Sequence, residues 1–554
     1  MKKLKLIFAL IIFALAGISC NEQSWLDEVP LDIYSAKNSF TRPSDFNAAI
    51  AHNYSLIGTL LNRNDDKNLM LQYPSDVAID RVSLVHELND YANNLIPENP
   101  RITQVWIDSY KIIFNCNAIL GRIDDETIPF TKESERSQYK GEALFLRAYT
   151  YRLLGILYGG VPLVLEEITQ PKRDFVRASI DAVWNQVIAD YSQAELLLPK
   201  QSELKEDGRL TKAAAQHALS EAYIITKQWD KAITSSSLVI NNPEYELIKE
   251  RFGTFKNKEG DYYGDLFRRG NVNYRAKGGT NKEAIWVDQY EYLATGGGHI
   301  NSITRFLMPA YYSIKGNDNV NLFVGPTTQN GGRGIGWLVP TNYMLNEVWS
   351  DAADIRNSKY NIIRDLKADN PKSKYYGQNI VESGSFTKFN NPLGQFWSAI
   401  FTKTTPINDF PAEVIKDPIT GVVLDAANQT FNDSYLFRLA ETYLLRAEAY
   451  LGKGDKVNAA KDINVIRARA NATPVDPSNV DINYILDERA RELCWEEKRV
   501  LTLFRLGLHK ERVEKYNVMS AGHIADHNNL WPIPQSEIER NTEAVLEQNP
   551  GYNK

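Results

Sequence analysis

Two stretches far apart in the chain carry the same spacing. Leu219-Ser-Glu-Ala-Tyr223 is followed by Trp229-Asp230 and Ala232, and Ala447-Glu-Ala-Tyr450 by Gly454-Asp455 and Ala459. Tyrosine to alanine is nine residues in both. An Asp stands two or four residues before the alanine, where it can accept the free amides that open a second helix. The alanine marks the crossing, because backbones there approach closely. The spacing predicts a helix, a tight turn and a second helix, used twice. Leu144–Leu157 and Asp487–Leu506 are looser matches that extend the set.

This is the tetratricopeptide pattern, whose units bury their apolar faces only by stacking. The flanking sequence agrees. Apolar residues recur at helical steps at Trp106, Tyr110, Ile113 and Ile119, and Leu144–Leu157 runs up to Gly159-Gly160 and Pro162. Between Gly253 and Gly336 the character changes: these 84 residues hold 15 of the 32 glycines, with short β-like pieces such as Ala284–Val287. The expected fold is mainly α, a tetratricopeptide-like helical scaffold with a large loop-rich, partly β, variable lobe. The expected division is scaffold over 41–250, lobe over 251–432, scaffold again over 433–515, and a tail over 516–554 packed on the scaffold.

The N-terminus reads as an export signal. Met-Lys-Lys-Leu-Lys precedes an apolar run, Leu6–Ala16, and then Gly17-Ile-Ser-Cys20. The run is too short to cross a bilayer, which takes roughly 20 residues. The small residues ending in cysteine resemble a lipobox, although Gly17 stands where leucine is usual. They imply removal of 1–19 and lipid on Cys20, with 20–40 as a tether. Each buried CH₂ of such a lipid contributes roughly 0.8 kcal/mol. Cleavage leaves 554 − 19 = 535 residues and changes the charge from 63 − 69 = −6 to 60 − 69 = −9. That balance argues against nucleic acid or anionic lipid as partner. Only Cys116 and Cys494 remain besides Cys20, without a CxxC, so they read as small buried apolar groups or as one disulfide.

Further motifs lie in order along nearly the whole chain. They are Trp25-Leu-Asp-Glu-Val-Pro30, Arg147-Ala-Tyr-Thr-Tyr151 running into Tyr158-Gly-Gly-Val-Pro162, and Arg438-Leu-Ala-Glu441-Thr-Tyr443. Ile463-Asn464, Arg467-Ala-Arg469, Glu488-Arg489-Ala-Arg491-Glu492, Leu530-Trp-Pro-Ile-Pro534 and Gln548-Asn-Pro-Gly-Tyr552 complete the set. With the lipobox, this ordered set resembles the SusD/RagB family of outer-membrane nutrient-binding lipoproteins of Bacteroidetes. Most of these residues read as structural. Arg438 with Glu441, and Glu488 with Arg491, are spaced to brace a helix turn at about 0.2–0.5 kcal/mol each.

The resemblance implies capture of oligosaccharide on the extracellular face of the outer membrane and its delivery to a SusC-like TonB-dependent transporter. The scaffold would face the transporter and the lobe the ligand. Two other roles stay open: peptide binding as in RagB-like members, and a tetratricopeptide adaptor that binds only protein. In the family the ligand face draws on the segment after the first helix and on the loop lobe. Here these hold Asp76, Asp80, Arg81, His86, Asn89, Tyr91, Asn93 and Asn94, then Tyr290, Tyr292, His299, Asn301, Arg333 and Trp337. Sugar recognition takes aromatic faces beside a few polar groups. The expected contacts are Trp337, Tyr91, Arg81, Asn93, Asp76, Tyr292, Tyr290 and Arg333. Glycines before Trp337 are expected to leave its ring open, with a plug for the lobe core as the other reading. Asp76 reads equally as a helix cap, and Trp286 as core.

No catalytic motif, cofactor or metal is expected. His86-Glu87 fails the H-E-x-x-H pattern because Asp90 stands at the second histidine. His523 and His527 are spaced to share a metal on a helix, but Gly522 and Asn528-Asn529 favour a loop.

Overall fold

A computed structural model describes residues 39–62, 70–81, 87–294, 303–386, 394–427 and 432–552. Cys20, the leader, most of the tether, His86, His299 and Asn301 lie outside them.

The first half is helical. Helices α1 (Pro43–Asn62), α2 (Tyr91–Asn94), α3 (Pro100–Leu120), α4 (Glu133–Tyr158), α5 (Ile180–Leu197), α6 (Lys212–Ile225) and α7 (Trp229–Ile240) follow one another. Short polar side chains start several of them. Asn99 accepts from Arg101 N before α3, Ser179 from Ala182 N before α5, and Thr211 from Ala214 N before α6. The chain then leaves the scaffold. The excursion contains the single turn α8 (Tyr262–Asp265), strand β2 (Ala284–Asp288), the short α9 (Ile303–Leu307) and β3 (Leu338–Pro340), which pairs with β1 (Ala78–Asp80). Two small antiparallel pairs follow, β4 (Ile362–Ile363) with β5 (Ile400–Phe401) and β6 (Ile415–Asp417) with β7 (Val422–Val423). Strand β8 (Ser434–Arg438) brings the chain back antiparallel to β2. It runs directly into α10 (Leu439–Gly452), followed by α11 (Lys456–Arg469), α12 (Ile482–Glu492), α13 (Arg499–Arg505), α14 (His509–Tyr516) and α15 (Gln535–Arg540).

Both repeat copies are helical pairs, α6 with α7 and α10 with α11, and α10 packs directly on α7. Ala232 and Ala459, one in the second helix of each pair, are completely buried. The turns match as well. Lys227 (φ 57°) and Gly454 (φ +81°), four residues after their tyrosines, both adopt the left-handed conformation. Asp455 then caps α11 by accepting from Asn458 N at 3.1 Å.

One main core threads the scaffold, and the lobe has a smaller core of its own around Tyr311, Leu322, Phe323, Ile380 and Trp397. Trp286 belongs to the main core, as its sequence setting suggests. It is 2% exposed and lies edge-on to Phe145, Tyr149 and Phe437 at 5.1–5.3 Å. The tail packs against α4: Trp531 is buried, and Asn549 Nδ2 donates to Tyr158 O (2.9 Å) and Trp531 O (2.7 Å). Gln548 pairs its amide with both backbone groups of Ile533, giving an extended proline segment the partners it lacks.

The family-type motifs build a buried ion network rather than isolated helix braces. Glu488 and Arg491 do pair, at 2.7 Å, but Arg438 and Glu441 do not pair with each other. Arg438 donates to Glu283, Glu492 and Glu496, while Glu441 accepts from Arg489. The reason is position: Arg438 ends a strand, so its side chain is not on the helical face that carries Glu441. Arg356, itself in the lobe, reaches Glu488 and Glu492 and ties the lobe to α12. Cys116 and Cys494 are both free, Cys116 fully buried with its thiol pushed up to about 12 by that burial. Among the described residues, no helix is long and apolar enough to cross a membrane.

Candidate ligand-binding face

The short β1–β3 ladder pairs Asp80 with Leu338 and so sets Arg81 beside Trp337. Arg81 N donates to Trp337 O at 3.0 Å, and the guanidinium lies 5.1 Å from the centre of the indole ring. Phe306 of α9 stacks on the same indole, 5.1 Å between centres and 7° between planes. The indole is therefore engaged by a cation and a second aromatic ring, and it remains partly exposed.

The glycines before Trp337 have a different role from the one expected. Ile335 N donates to Arg305 O (3.0 Å) and Gly336 N to Met308 O (2.9 Å). A Cβ at Gly334 would stand 2.1 Å from Met308 O, and one at Gly336, where φ is +58°, 2.1 Å from Gln395 O. They are glycines because three backbone segments touch there, not to clear space around the ring.

Two further arginines flank this aromatic pair. Arg305 precedes Phe306 on α9. Arg333 precedes Gly334 and meets Asp425 at 3.2 Å, an aspartate 93% exposed. Burial first, and the nearby Arg333 charge second, hold the Arg305 guanidinium below its ordinary value. Tyr312 OH donates to Gly334 O (3.0 Å) and steadies the loop. The face thus offers an aromatic surface edged by Arg81, with Arg305 on the helix that carries Phe306 and Arg333 on the loop that leads to Trp337. Phe306 and Arg305 were missed in the sequence: a five-residue helix inside a glycine-rich region leaves no periodic signal.

Of the eight expected contact residues, only Trp337, Arg81 and Arg333 come together here. Asp76 is a correction. It is completely buried and accepts from Arg499 Nη2 (2.7 Å) and Arg512 Nε (2.8 Å). Burial alone would raise its pKa, but the two arginines hold it down at about 2. It is a structural anion, neither a ligand contact nor a helix cap. Tyr91 is a second correction: it is completely buried, 5.3 Å from the His509 ring. Asn93 is exposed on α2, but its side chain donates to Asp90 at 2.6 Å and serves the cap of that turn. Tyr290 is a third correction. It is buried and donates to Asp288 Oδ2 at 2.5 Å. Asp288 also accepts from Asn62, which in turn accepts from Lys498 at 2.8 Å. Burial pushes Asp288 up to about 6 and Lys498 down to about 8. Tyr292 is partly buried against Phe410 and Val414 in a separate small cluster.

Concave regions also lie elsewhere among the described residues, the roomiest a shallow one of about 620 Å³ beside Gly159, Arg177 and Trp184. A cavity of about 120 Å³ is lined by Asn62, Lys403, Asp433, Glu496 and Lys498, inside the ion network. A groove of about 460 Å³ beside α3 is lined by Trp106, Tyr110, Phe114 and Phe175. His523 and His527 serve different neighbours, Asp90 at 3.6 Å and the Tyr552 ring at 4.7 Å. Among the described residues, no three acids, histidines or cysteines are grouped to hold a metal.

The chain matches two family models: the SusD family over residues 425–552, and "Starch-binding associating with outer membrane" over 24–224. A SusD-like protein of Formosa agariphila is 22% identical over 99% of this chain and 100% of its own. Starch-binding protein SusD of Bacteroides thetaiotaomicron is 39% identical over 126 residues, 22% of each chain. Among solved structures, a laminarin-binding SusD-like protein superposes with TM-score 0.67 at 22% identity, covering 92% of this chain and 99% of its own. Surface glycan-binding protein A of Bacteroides thetaiotaomicron superposes with TM-score 0.66 at 17% identity, covering 92% and 99%. At these identities the superpositions establish the shared fold.

Proposed function

The chain belongs to the SusD/RagB family, and from that premise we propose that it is a cell-surface protein that captures oligosaccharide on the Trp337 face and passes it to a SusC-like TonB-dependent transporter. The observation that carries the binding half is the junction of Trp337 and Phe306 of the lobe with Arg81 of the segment after α1. An aromatic surface stacks on sugar ring C–H groups, and guanidinium groups donate to ring substituents. Two relatives are named for glycans, one for laminarin and one for starch, which supports the same ligand class. No reacting group enters this reading; capture is by binding.

The delivery half rests on the scaffold. The stacked helix pairs and the lobe are joined through β2, β8 and the Arg356 ion pairs. Lipid on Cys20 would hold the assembly at the outer membrane, and residues 20–40 would act as the tether. Residues 41–250 and 433–515 would face the transporter, with 251–432 towards the ligand and 516–554 clasping the scaffold.

Glycan and peptide arrays probed with the lipid-free chain test the ligand class. Retention by glycans supports capture; retention by peptides alone gives the RagB-like role. Co-purification with another protein and no binding on either array gives the adaptor role. A pull-down from solubilised outer membranes, read for a TonB-dependent transporter, tests delivery.

A further inference from the structure

We infer that the groove beside α3 is the seat of this chain's own N-terminal segment, Trp25–Tyr34, which lies outside the described residues. The docking is independent of what the lobe binds. Its consequence for orientation rests on the reading of Cys20 as the anchored residue.

The groove, about 460 Å³, is held in shape by the fold itself. Trp106 and Ile113 line it as buried residues, while Ile107 and Phe114 stay 40% and 44% exposed. The last two are seven residues apart, so they share one face of α3. The opposite wall is the stretch from Pro162 to Phe175, pinned at several points. Tyr110 OH donates to Pro162 O (2.8 Å), Asn117 Nδ2 to Val164 O (2.9 Å), and Asn541 and Phe175 exchange two hydrogen bonds of 2.8 Å. Aromatic and aliphatic groups left open along a fixed groove gain most from an apolar occupant that removes them from water.

The described chain begins at the edge of this groove. Phe40 packs on Phe46, 4.8 Å between ring centres, and the Arg122 guanidinium lies 5.7 Å from the Phe40 ring. Arg122 also pairs with Glu167 at 2.6 Å, next to Ile168 of the groove wall. Reach is ample. From the end of α3 back to Trp106 is about 21 Å at ~1.5 Å per residue, which roughly seven extended residues cover at ~3.3 Å each. Asn21 to Asn38 supplies 18. The pattern fits as well. Val29, Leu31 and Ile33 alternate with Pro30 and Asp32, so extended backbone sets the three apolar side chains on one face. Pro30 favours that backbone. Trp25 and Leu26 extend the apolar contact towards the far end, which Leu546 lines.

Covalent attachment decides between this occupant and a separate one. A segment joined to the body by a few residues acts at an effective concentration on the order of millimolar. A partner offering similar apolar groups meets a groove already taken. With Trp25 seated, four residues, Asn21–Ser24, separate the body from Cys20. The body is then held with its α3 side to the membrane rather than swinging on a long tether.

Hydrogen–deuterium exchange of the lipid-free chain beginning at Asn21 tests the docking. Amides of residues 25–34 should exchange at least tenfold more slowly than in the free peptide of that sequence. I107D with F114D, at two part-exposed positions, should return them to the peptide rate. L31D with I33D should do the same, and it changes no described residue, so it decides the matter if the groove variant melts early. I107V with F114L keeps the groove apolar and should keep the protection. Melting temperature and unchanged exchange in α4 check that the body is intact. Peptide-rate exchange in the parent overturns the inference. Protection that survives I107D/F114D overturns the groove as the seat. Protection that rises with chain concentration gives the groove to a second copy and overturns it too. Lipidation at Cys20 is read separately, by surface labelling, so failure of the anchor and failure of the docking are distinguishable.

Discussion

Arg438 donates to Glu492 across 2.6 Å, and neither side chain is more than 1% exposed. Glu492 also takes Arg356 at 2.9 Å and Arg469, so three guanidinium groups converge on one carboxylate. The arrangement joins the start of α10, the end of α11, the end of α12 and the lobe. E492Q keeps the shape and removes the charge, leaving three buried arginines with fewer carboxylates than they now share. It should cost about 3–5 kcal/mol, read as a shifted urea midpoint. An unchanged midpoint would falsify the claim that this network holds the lobe on the scaffold.

Asp76 gives a pH signature. Its folded pKa, about 2, lies below the ordinary 3.8 because Arg499 and Arg512 outweigh the effect of burial. The stability it contributes is complete above the ordinary value and is lost as pH falls through about 2. Glu488, also held at about 2 against an ordinary 4.5, acts in the same direction. D76N should therefore be less stable at neutral pH and lose less stability than the parent between pH 4 and 2. Melting curves across that range decide it; parallel curves for parent and variant contradict the assignment.

W337A should separate binding from folding. The ring is partly exposed, so its loss should cost about 1–3 kcal/mol, below the toll of a fully buried aromatic. Retention on the glycan array should weaken by tenfold or more. Y292F and N93A, which lie in a separate cluster and a capping turn, should leave retention unchanged. If N93A weakens binding as much as W337A, the site lies elsewhere.

G454A tests the repeat turn. The position has open space, so any cost comes from the backbone at φ +81°. The expected loss is about 1–2 kcal/mol. K227G at the matching turn should be neutral or stabilising, since Lys227 already occupies that region at φ 57°. Equal losses in both would remove the equivalence of the two turns.

C20A should leave glycan binding by the soluble chain intact and abolish retention at the cell surface. Surface labelling of intact cells reads the outcome, and unchanged labelling would remove the anchor.

Much of the helical scaffold was legible in the sequence because helix faces report themselves locally. Tyr223 to Ala232 and Tyr450 to Ala459 mark two helix pairs without reference to any other part of the chain. Trp286 was legible for the same reason, sitting in a short apolar strand. The candidate ligand face was not, because its members are set by pairing across long separations. Arg81 meets Trp337 through a three-residue ladder between strands some 250 residues apart. Asp76, Tyr91 and Tyr290 carry polar groups that suggest a surface, yet each finds its neighbour at distant positions, Arg499, His509 or Asn62.

By itself the sequence determined the helical repeat, the glycine-rich lobe and the family, since these rest on local period and on ordered motifs. Only the tertiary structure decided which arginines are neutralised and which are not. Arg438 and Arg305 look alike in sequence. One lies among glutamates drawn from the end of α12, the residue before β2 and the segment after α12; the other stands beside Arg333 with its Nε unpartnered among the described residues. Charge compensation depends on distances of a few ångströms between residues far apart along the chain, and no local pattern encodes them.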